Sequence, residues 1–336
     1  MSEPLQFDRP QNPLYQGVAL RHVVDLPVLG IPVRFASNSA AALAVVEDAF
    51  GRWRALDAHP ELIASEGAQV RLIVHEGLEG SGPHAPVTVR MPDTDRVIVH
   101  TPGSIGIADC ARREATAYIT PALLLAHQAQ VRYSMIEGLT LTLVTARDRY
   151  PVHAAAIMRG PVALLLAGPP GSGKSTLAYQ AFRHGLRVLS DDAAYIQLKP
   201  TFRLWGMLGP VHLLPATRAH FPELAGQTPA WLANGNEKFM LPIAGEWTGP
   251  PVASRAGVCL LERKGGAASC ARASSAEVHA SLEAGLGVSR VRFGDALHDA
   301  LARLAGRGGW RLSLSADPAD ALPFVDDMLT ELTREA

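Results

Sequence analysis

Residues 168–176 read Gly-Pro-Pro-Gly-Ser-Gly-Lys-Ser-Thr, and no other stretch constrains the fold of this chain as tightly. The apolar run Val162–Ala167 precedes it, and Leu177–Arg183 suits a helix that ends near His184-Gly185. Strand, glycine loop and helix in that order make the pattern G-x-x-x-x-G-K-[ST] a phosphate cradle. The glycines let successive N–H groups turn inward, and the helix adds the positive end of its dipole. The pattern predicts binding of a nucleoside triphosphate such as ATP, with Gly168, Gly171, Ser172, Gly173 and Thr176 around the phosphates. Lys174 would reach the β- and γ-phosphates, and the Ser175 hydroxyl would hold Mg²⁺. The competing explanation is a glycine-rich turn that matches by chance, and the flanks argue against it.

Two further features bear on chemistry. Ser190-Asp191-Asp192 closes the predicted strand Leu186–Leu189. Adjacent carboxylates at a strand end repel, so a fold gains little stability from them. Mg²⁺ binding and a proton-accepting role would justify both. A turn or helix cap built from two aspartates is the plainer alternative. Upstream lies His153, in Val152-His153-Ala154-Ala155-Ala156-Ile157. Alone, such a histidine is more often structural than catalytic.

In combination these residues resemble a known family. His153-Ala-Ala, the 168–176 loop, and Arg183-His-Gly-Leu-Arg-Val-Leu-Ser-Asp191-Asp192 are similar in order and spacing to the catalytic core of HPr kinase/phosphorylase and the HPr-kinase-like serine kinases. The resemblance is specific over about residues 150–196. It implies an α/β fold with a P-loop kinase core, of the kind shared with ATP-dependent phosphoenolpyruvate carboxykinase. It also implies an ATP donor, Mg²⁺ and phosphoryl transfer to a hydroxyl. One carboxylate of the pair would be the base and the other would hold the metal, with Asp192 favoured as base and Asp191 as metal holder. His153 would lie beside them. A homo-oligomer is implied as well. The HPr-specific enzymes carry a downstream Leu-Glu-Ile-Arg-Gly-Leu-Gly signature. The corresponding stretch here, Leu204–His212, lacks the glutamate and the arginine. HPr is therefore not expected as the acceptor.

Composition excludes some classes of function. The chain has 336 residues, enough for two domains, and a formal net charge of −1. No basic field advertises nucleic acid or an acidic membrane surface. Cys110, Cys259 and Cys270 show no metal-ligand spacing, and residues 1–8 show no signal segment. Both suit a reducing cytoplasm. The longest apolar helix candidate, about Pro121 to Ala146, contains His127, Arg132 and Glu137, which argues against a membrane span.

The division expected is an N-terminal α+β domain over 1–148 and the catalytic domain over 149–336. In the first, residues 1–14 read as a loose arm and Gly77–Pro86 as a loop. Asn38 is expected to cap a helix running to about Trp53, and Val87–Met91 with Arg96–His100 to form a hairpin. In the second, Ala194–Leu198 and Phe202–Trp205 read as paired strands. The loop-rich segment 207–254, with His212, Arg218, His220, Asn234, Asn236 and Lys238, is expected to build an acceptor site. Lys238 could approach phosphate or acceptor, an exposed, solvated lysine being the plainer reading, and His212 with His220 reads as no metal pair.

Three functions fit the sequence. The first is a kinase acting on a Ser/Thr hydroxyl of a peptide or protein. The second is a kinase of a small hydroxylated metabolite. The third is a nucleotide-gated binding module with slow ATP hydrolysis. The Asp-Asp pair and His153 favour catalysis, because a sensor needs no acceptor base.

Overall fold

The computed structural model describes residues 17–75, 87–231, 236–243, 249–287 and 289–334. The expected arm at 1–14, the loop at 77–86 and Asn234 lie outside the described residues. The protein is of mixed α/β class and divides into two compact units. The first is Met1–Gly51 with Ala64–Leu143, and the second is Arg52–Ile63 with Val144–Ala336.

The first unit holds a seven-stranded sheet. Its strands are β1 (His22–Val28), β2 (Ile31–Ser37), β3 (Ala68–Val74), β4 (Thr88–Arg90), β5 (Arg96–Thr101), β6 (Ser104–Asp109) and β7 (Glu114–Ile119). They stand in the order β1-β2-β3-β7-β6-β5-β4. Only β2/β3 and β3/β7 pair in parallel. The helix expected from Asn38 is capped instead by Ser39, whose hydroxyl accepts from the N–H of Ala42 at 3.4 Å. It spans α1 (Ala40–Phe50). Asn38 serves the sheet: its amide donates to the carbonyl of Val74 and accepts from the N–H of Val74, both at 2.8 Å.

The single helix expected over 121–146 is broken. It comprises α2 (Pro121–Ala126), α3 (Gln128–Gln130), a π-helical turn over Val131–Glu137, and α4 (Gly138–Thr145). His127 leaves helical geometry at φ −137° and ψ 47°. The π turn brings residues five apart onto one line, where Arg132 Nε donates to Glu137 Oε1 at 2.7 Å.

The second unit is built on a six-stranded sheet. Its members are β9 (Ala155–Arg159), β10 (Val162–Ala167), β11 (Arg187–Ser190), β18 (Arg255–Glu262), β19 (Ser269–Ala273) and β20 (Gly309–Ser313), in the order β11-β9-β10-β18-β20-β19. Strand β10 pairs in parallel with β18, and β18 with β20. Strand β9 runs against both β10 and β11. Thus β10, β11, β18 and β20 all point their carboxyl ends the same way. Two smaller sheets flank it. One holds β8 (Tyr150–His153), β12 (Ala193–Gln197), β13 (Arg203–Gly206) and β17 (Val252–Ala253). The other holds β14 (Val211–Leu213), β15 (Ala230–Trp231) and β16 (Glu237–Leu241).

Strand β10 is apolar at every position because both faces of its sheet are covered. Val162, Leu164 and Leu166 join a core with α5 (Lys174–Arg183) and α8 (Leu322–Arg334). Ala163, Leu165 and Ala167 join a core with α6 (Ser275–Ala284) and α7 (Ser289–Ala305). Period-two alternation sends neighbouring side chains to opposite faces.

The division differs from one at 148/149 in two places. Residues 52–63 belong to the second unit, where Trp53, fully buried, meets Trp205 with ring centroids 6.1 Å apart. Such a pair contributes about 0.5–1.5 kcal/mol beyond the area it buries. Residues 144–148 also belong there, and the Asp148 carboxylate accepts from the N–H groups of Leu198 and Lys199 at 3.0 and 2.7 Å.

Candidate functional site: the 168–176 loop and the Asp191/Asp192 pair

Strand β10 ends at Ala167 and helix α5 opens at Lys174, so the glycine loop occupies the turn between them. Two glycines are required by space as well as by backbone angle. Gly168 has φ 152°, and a Cβ there would lie 2.8 Å from both the Leu261 carbonyl and Ser172 Oγ. Gly173 has φ 105°, and a Cβ would lie 2.7 Å from Leu314 Cδ1. Gly171 has φ 81° with nothing within 4 Å, so only its backbone angle calls for glycine.

Helix α5 starts from Gly173 without a side-chain cap. Its first N–H groups, at Lys174, Ser175 and Thr176, therefore stand at an uncapped positive helix end. The Ser172 N–H is taken by the Pro169 carbonyl at 3.1 Å, but its buried Oγ has no partner among the described residues. Lys174 folds back over the loop and donates to the carbonyls of Gly168 at 2.9 Å and Pro169 at 3.3 Å. Burial lowers the pKa of its ammonium, the charges of Asp192 and Asp191 oppose that shift, and Lys238 adds to it. Lys238 is thus within electrostatic reach of Lys174 and is only partly exposed.

The Asp-Asp pair lies in the turn between β11 and β12. The Ser190 hydroxyl closes this turn by bonding to the carbonyl and the N–H of Ala193. The two carboxylates have opposite environments. Asp191 is buried; its Oδ2 accepts from the His212 N–H at 2.9 Å and lies 3.2 Å from His212 Nδ1. Its Oδ1 is buried without a partner among the described residues. Leaving a buried acceptor unmatched costs about 1–3 kcal/mol, more for a charged one. Asp192 keeps 71% of its side-chain exposure, and its Oδ1 lies 3.3 Å from His153 Nδ1. The register of β8 against β12, which sets His153 opposite Ala193, produces this pairing.

The carboxyl ends of β10 and β11 therefore bring Lys174, Asp191 and Asp192 together, and β8 adds His153. Ser175 sits half-buried and Thr176 buried in the first turn of α5. Two nearby residues have places that the sequence did not indicate. His212, dismissed there as a metal ligand, holds Asp191 because β14 runs beside the turn. Arg263, just past β18, has Nη2 3.2 Å from the point a Gly173 Cβ would occupy. Only its place in the charged run Glu262-Arg263-Lys264 could have marked it.

The residues fit a triphosphate and a divalent cation on their own chemistry. The cradle has no room for a Cβ at Gly168 or Gly173, and the helix end above it is uncapped. The orphaned Asp191 Oδ1 and Ser172 Oγ are buried polar atoms in want of a partner. No helix among the described residues is long and apolar enough to cross a membrane. No protein-family model matches the chain, and no curated protein matches it.

Proposed function

We propose that the protein is an ATP-dependent kinase that transfers the γ-phosphoryl group to a Ser/Thr hydroxyl of a peptide or protein other than HPr, on a P-loop core of the HPr-kinase type. One observation carries the proposal. The glycine loop follows the carboxyl end of β10 and the Asp pair follows the carboxyl end of β11, two strands that run the same way in one sheet, which supports reading loop and pair as one site. A loop that only held nucleotide would need no exposed second carboxylate beside it.

The residues divide the work. The backbone of Gly171–Thr176 and the Lys174 ammonium orient and neutralise the phosphates. Asp191 Oδ1 and the Ser175 hydroxyl would hold Mg²⁺, which when bound neutralises charge on the phosphate oxygens. His212 fixes the Asp191 carboxylate through its N–H, leaving Oδ1 for the metal. Asp192, exposed beside the loop, accepts the proton of the acceptor hydroxyl. His153, 3.3 Å from it, orients that carboxylate. Phosphoryl transfer asks for positioning and charge neutralisation more than covalent chemistry, and this inventory supplies both.

The test incubates purified protein with labelled ATP and HPr, then with cell extract divided into macromolecular and small-molecule fractions. Label in the macromolecular fraction but not on HPr is expected. Rapid HPr labelling would defeat the exclusion of HPr. Label confined to small molecules would make the enzyme a metabolite kinase. Slow ATP consumption without transfer would leave a nucleotide-gated module.

A further inference from the structure

We propose that helices α6 and α7 carry a separate site for a transition-metal dication of the Zn²⁺ class, held by His279, Glu283 and His298. Val278 and Leu282 of α6 and Leu297, Ala300 and Leu301 of α7 are buried in one core. That packing fixes the two helices against each other. The three candidate ligands are the next residues along from Val278, Leu282 and Leu297, so they stand beside the buried seam. His279 and Glu283 are four apart on α6 and share one of its faces.

One ligand atom from each of the three residues lies within 4.8 Å of the other two. Glu283 stands between the histidines. His298 Nδ1 is 3.0 Å from its Oε1, and His279 Nδ1 is 3.8 Å from its Oε2. The two imidazole rings are 4.7 Å apart between centroids. Four-coordinate Zn²⁺, at about 2.0–2.2 Å from nitrogen and oxygen ligands, sets such atoms roughly 3.3–3.6 Å apart. The spacing found is near that already, and His298, with 59% of its side chain exposed, is free to turn and close the difference.

His279 is the most telling of the three. Its ring makes no hydrogen bond among the described residues: Nε2 is buried without a partner, and the 3.8 Å to Glu283 is too long for one. A buried polar atom left unmatched is costly, and an imidazole outside any hydrogen bond has a lone pair to give a metal. The His298 hydrogen bond lowers the pKa of Glu283, burial opposes that shift, and the charges of His279, Arg290 and His298 add to it. Arg290 is exposed, so solvent and salt screen its repulsion of a cation.

Two imidazole nitrogens and a carboxylate oxygen suit Zn²⁺, Co²⁺, Ni²⁺ or Cu²⁺, whereas Mg²⁺ prefers oxygen ligands. That chemistry separates this site from the one expected to take Mg²⁺ at the glycine loop. Three protein ligands leave a fourth position for water. The ion would tie α6 to α7. Gly285, two residues past Glu283, packs on the end of β8, where a Cβ would lie 3.4 Å from His153 Cβ. The tie would therefore hold the segment that backs His153.

The experiment uses the full chain with Asp191→Asn and Asp192→Asn, which removes the carboxylates of the glycine-loop site as rival ligands. Zn²⁺ is titrated calorimetrically without nucleotide, with Mg²⁺ as the control. We expect one saturable Zn²⁺ site per chain and none for Mg²⁺. His298→Gln and Glu283→Gln, each in that background, should weaken Zn²⁺ binding at least about tenfold, since loss of even an outer-shell partner has that effect. Both side chains reach solvent, so a thermal melt without metal should show the fold intact. Saturating Zn²⁺ should raise the melting temperature of the background protein and leave that of the His298→Gln chain in place. Absence of a saturable Zn²⁺ site would overturn the proposal, as would an affinity untouched by both changes or equal saturation by Mg²⁺. Binding lost with His153→Gln but kept with His298→Gln would put the ion at the glycine-loop site and overturn it too.

Discussion

The seven-stranded sheet of the first unit and the six-stranded sheet of the second finish their strands in different ways. In the first, polar side chains at strand ends close bonds within the protein. The Ser37 hydroxyl donates to the Leu72 carbonyl at 2.6 Å, and Asn38 exchanges two bonds with Val74. Asp93 accepts from the N–H groups of Asp95 and Arg96 at 3.0 and 2.8 Å. In the second, Asp191 Oδ1 just past β11 and Ser172 Oγ in the loop after β10 are buried and unmatched among the described residues. Other orphans among the described residues are Thr140 in the first unit and Trp53 and His279 in the second. The charged orphan is at Asp191. A polar strand end that satisfies itself is structure, and one that does not is arranged for something else to bind.

This contrast can be broken by experiment. The largest effect is expected from Asp192→Asn, which keeps size and removes the base. Turnover should fall about 10²–10⁴-fold with nucleotide binding intact. Initial rates and equilibrium binding on the same preparation decide it. Normal activity after both aspartates are replaced would make the pair structural, like the first unit's strand ends.

Next comes Lys174→Ala. ATP with Mg²⁺ at a hundredfold excess over its dissociation constant should stabilise the wild type by about 2.7 kcal/mol, and the variant should lose most of that. A wild-type melting temperature indifferent to every nucleoside triphosphate would remove the phosphate-loop reading.

Asn38→Ala probes the other side of the contrast. It strands the Val74 N–H and carbonyl, so stability should drop by about 1–3 kcal/mol. The shift produced by ATP should be unchanged. A lost ATP response would mean that the two kinds of strand end do not separate structure from binding.

The smallest and sharpest test is Asp191→Asn. Removing a buried, half-matched charge should raise the stability of the nucleotide-free protein by about 0.5–2 kcal/mol. It should also abolish the Mg²⁺-dependent part of ATP stabilisation. Chemical denaturation with and without Mg²⁺-ATP reads both. A destabilised variant with an intact Mg²⁺ response would place Asp191 among the structural carboxylates.

The sequence by itself determined the parts whose causes are local. Glycine spacing with an apolar run before it is a short-range signal, so β10, the loop and α5 were legible, as were β11 and the 88–101 hairpin. The Asp pair was legible as an anomaly because two adjacent carboxylates have no local use. Helix caps and breaks were less so. Ser39 rather than Asn38 caps α1, because Asn38 is recruited by Val74, far along the chain. The 121–146 segment has helical periodicity, but a five-residue ion pair and a break at His127 depend on what packs around it. Tertiary structure alone decided which carboxylate is buried and which is exposed, and that His212 holds the buried one. It also brought Arg263 to the loop and gave residues 52–63 to the second unit. These are pairings between distant strands and loops. Their energies come from register and from burial against partners that no window of sequence contains.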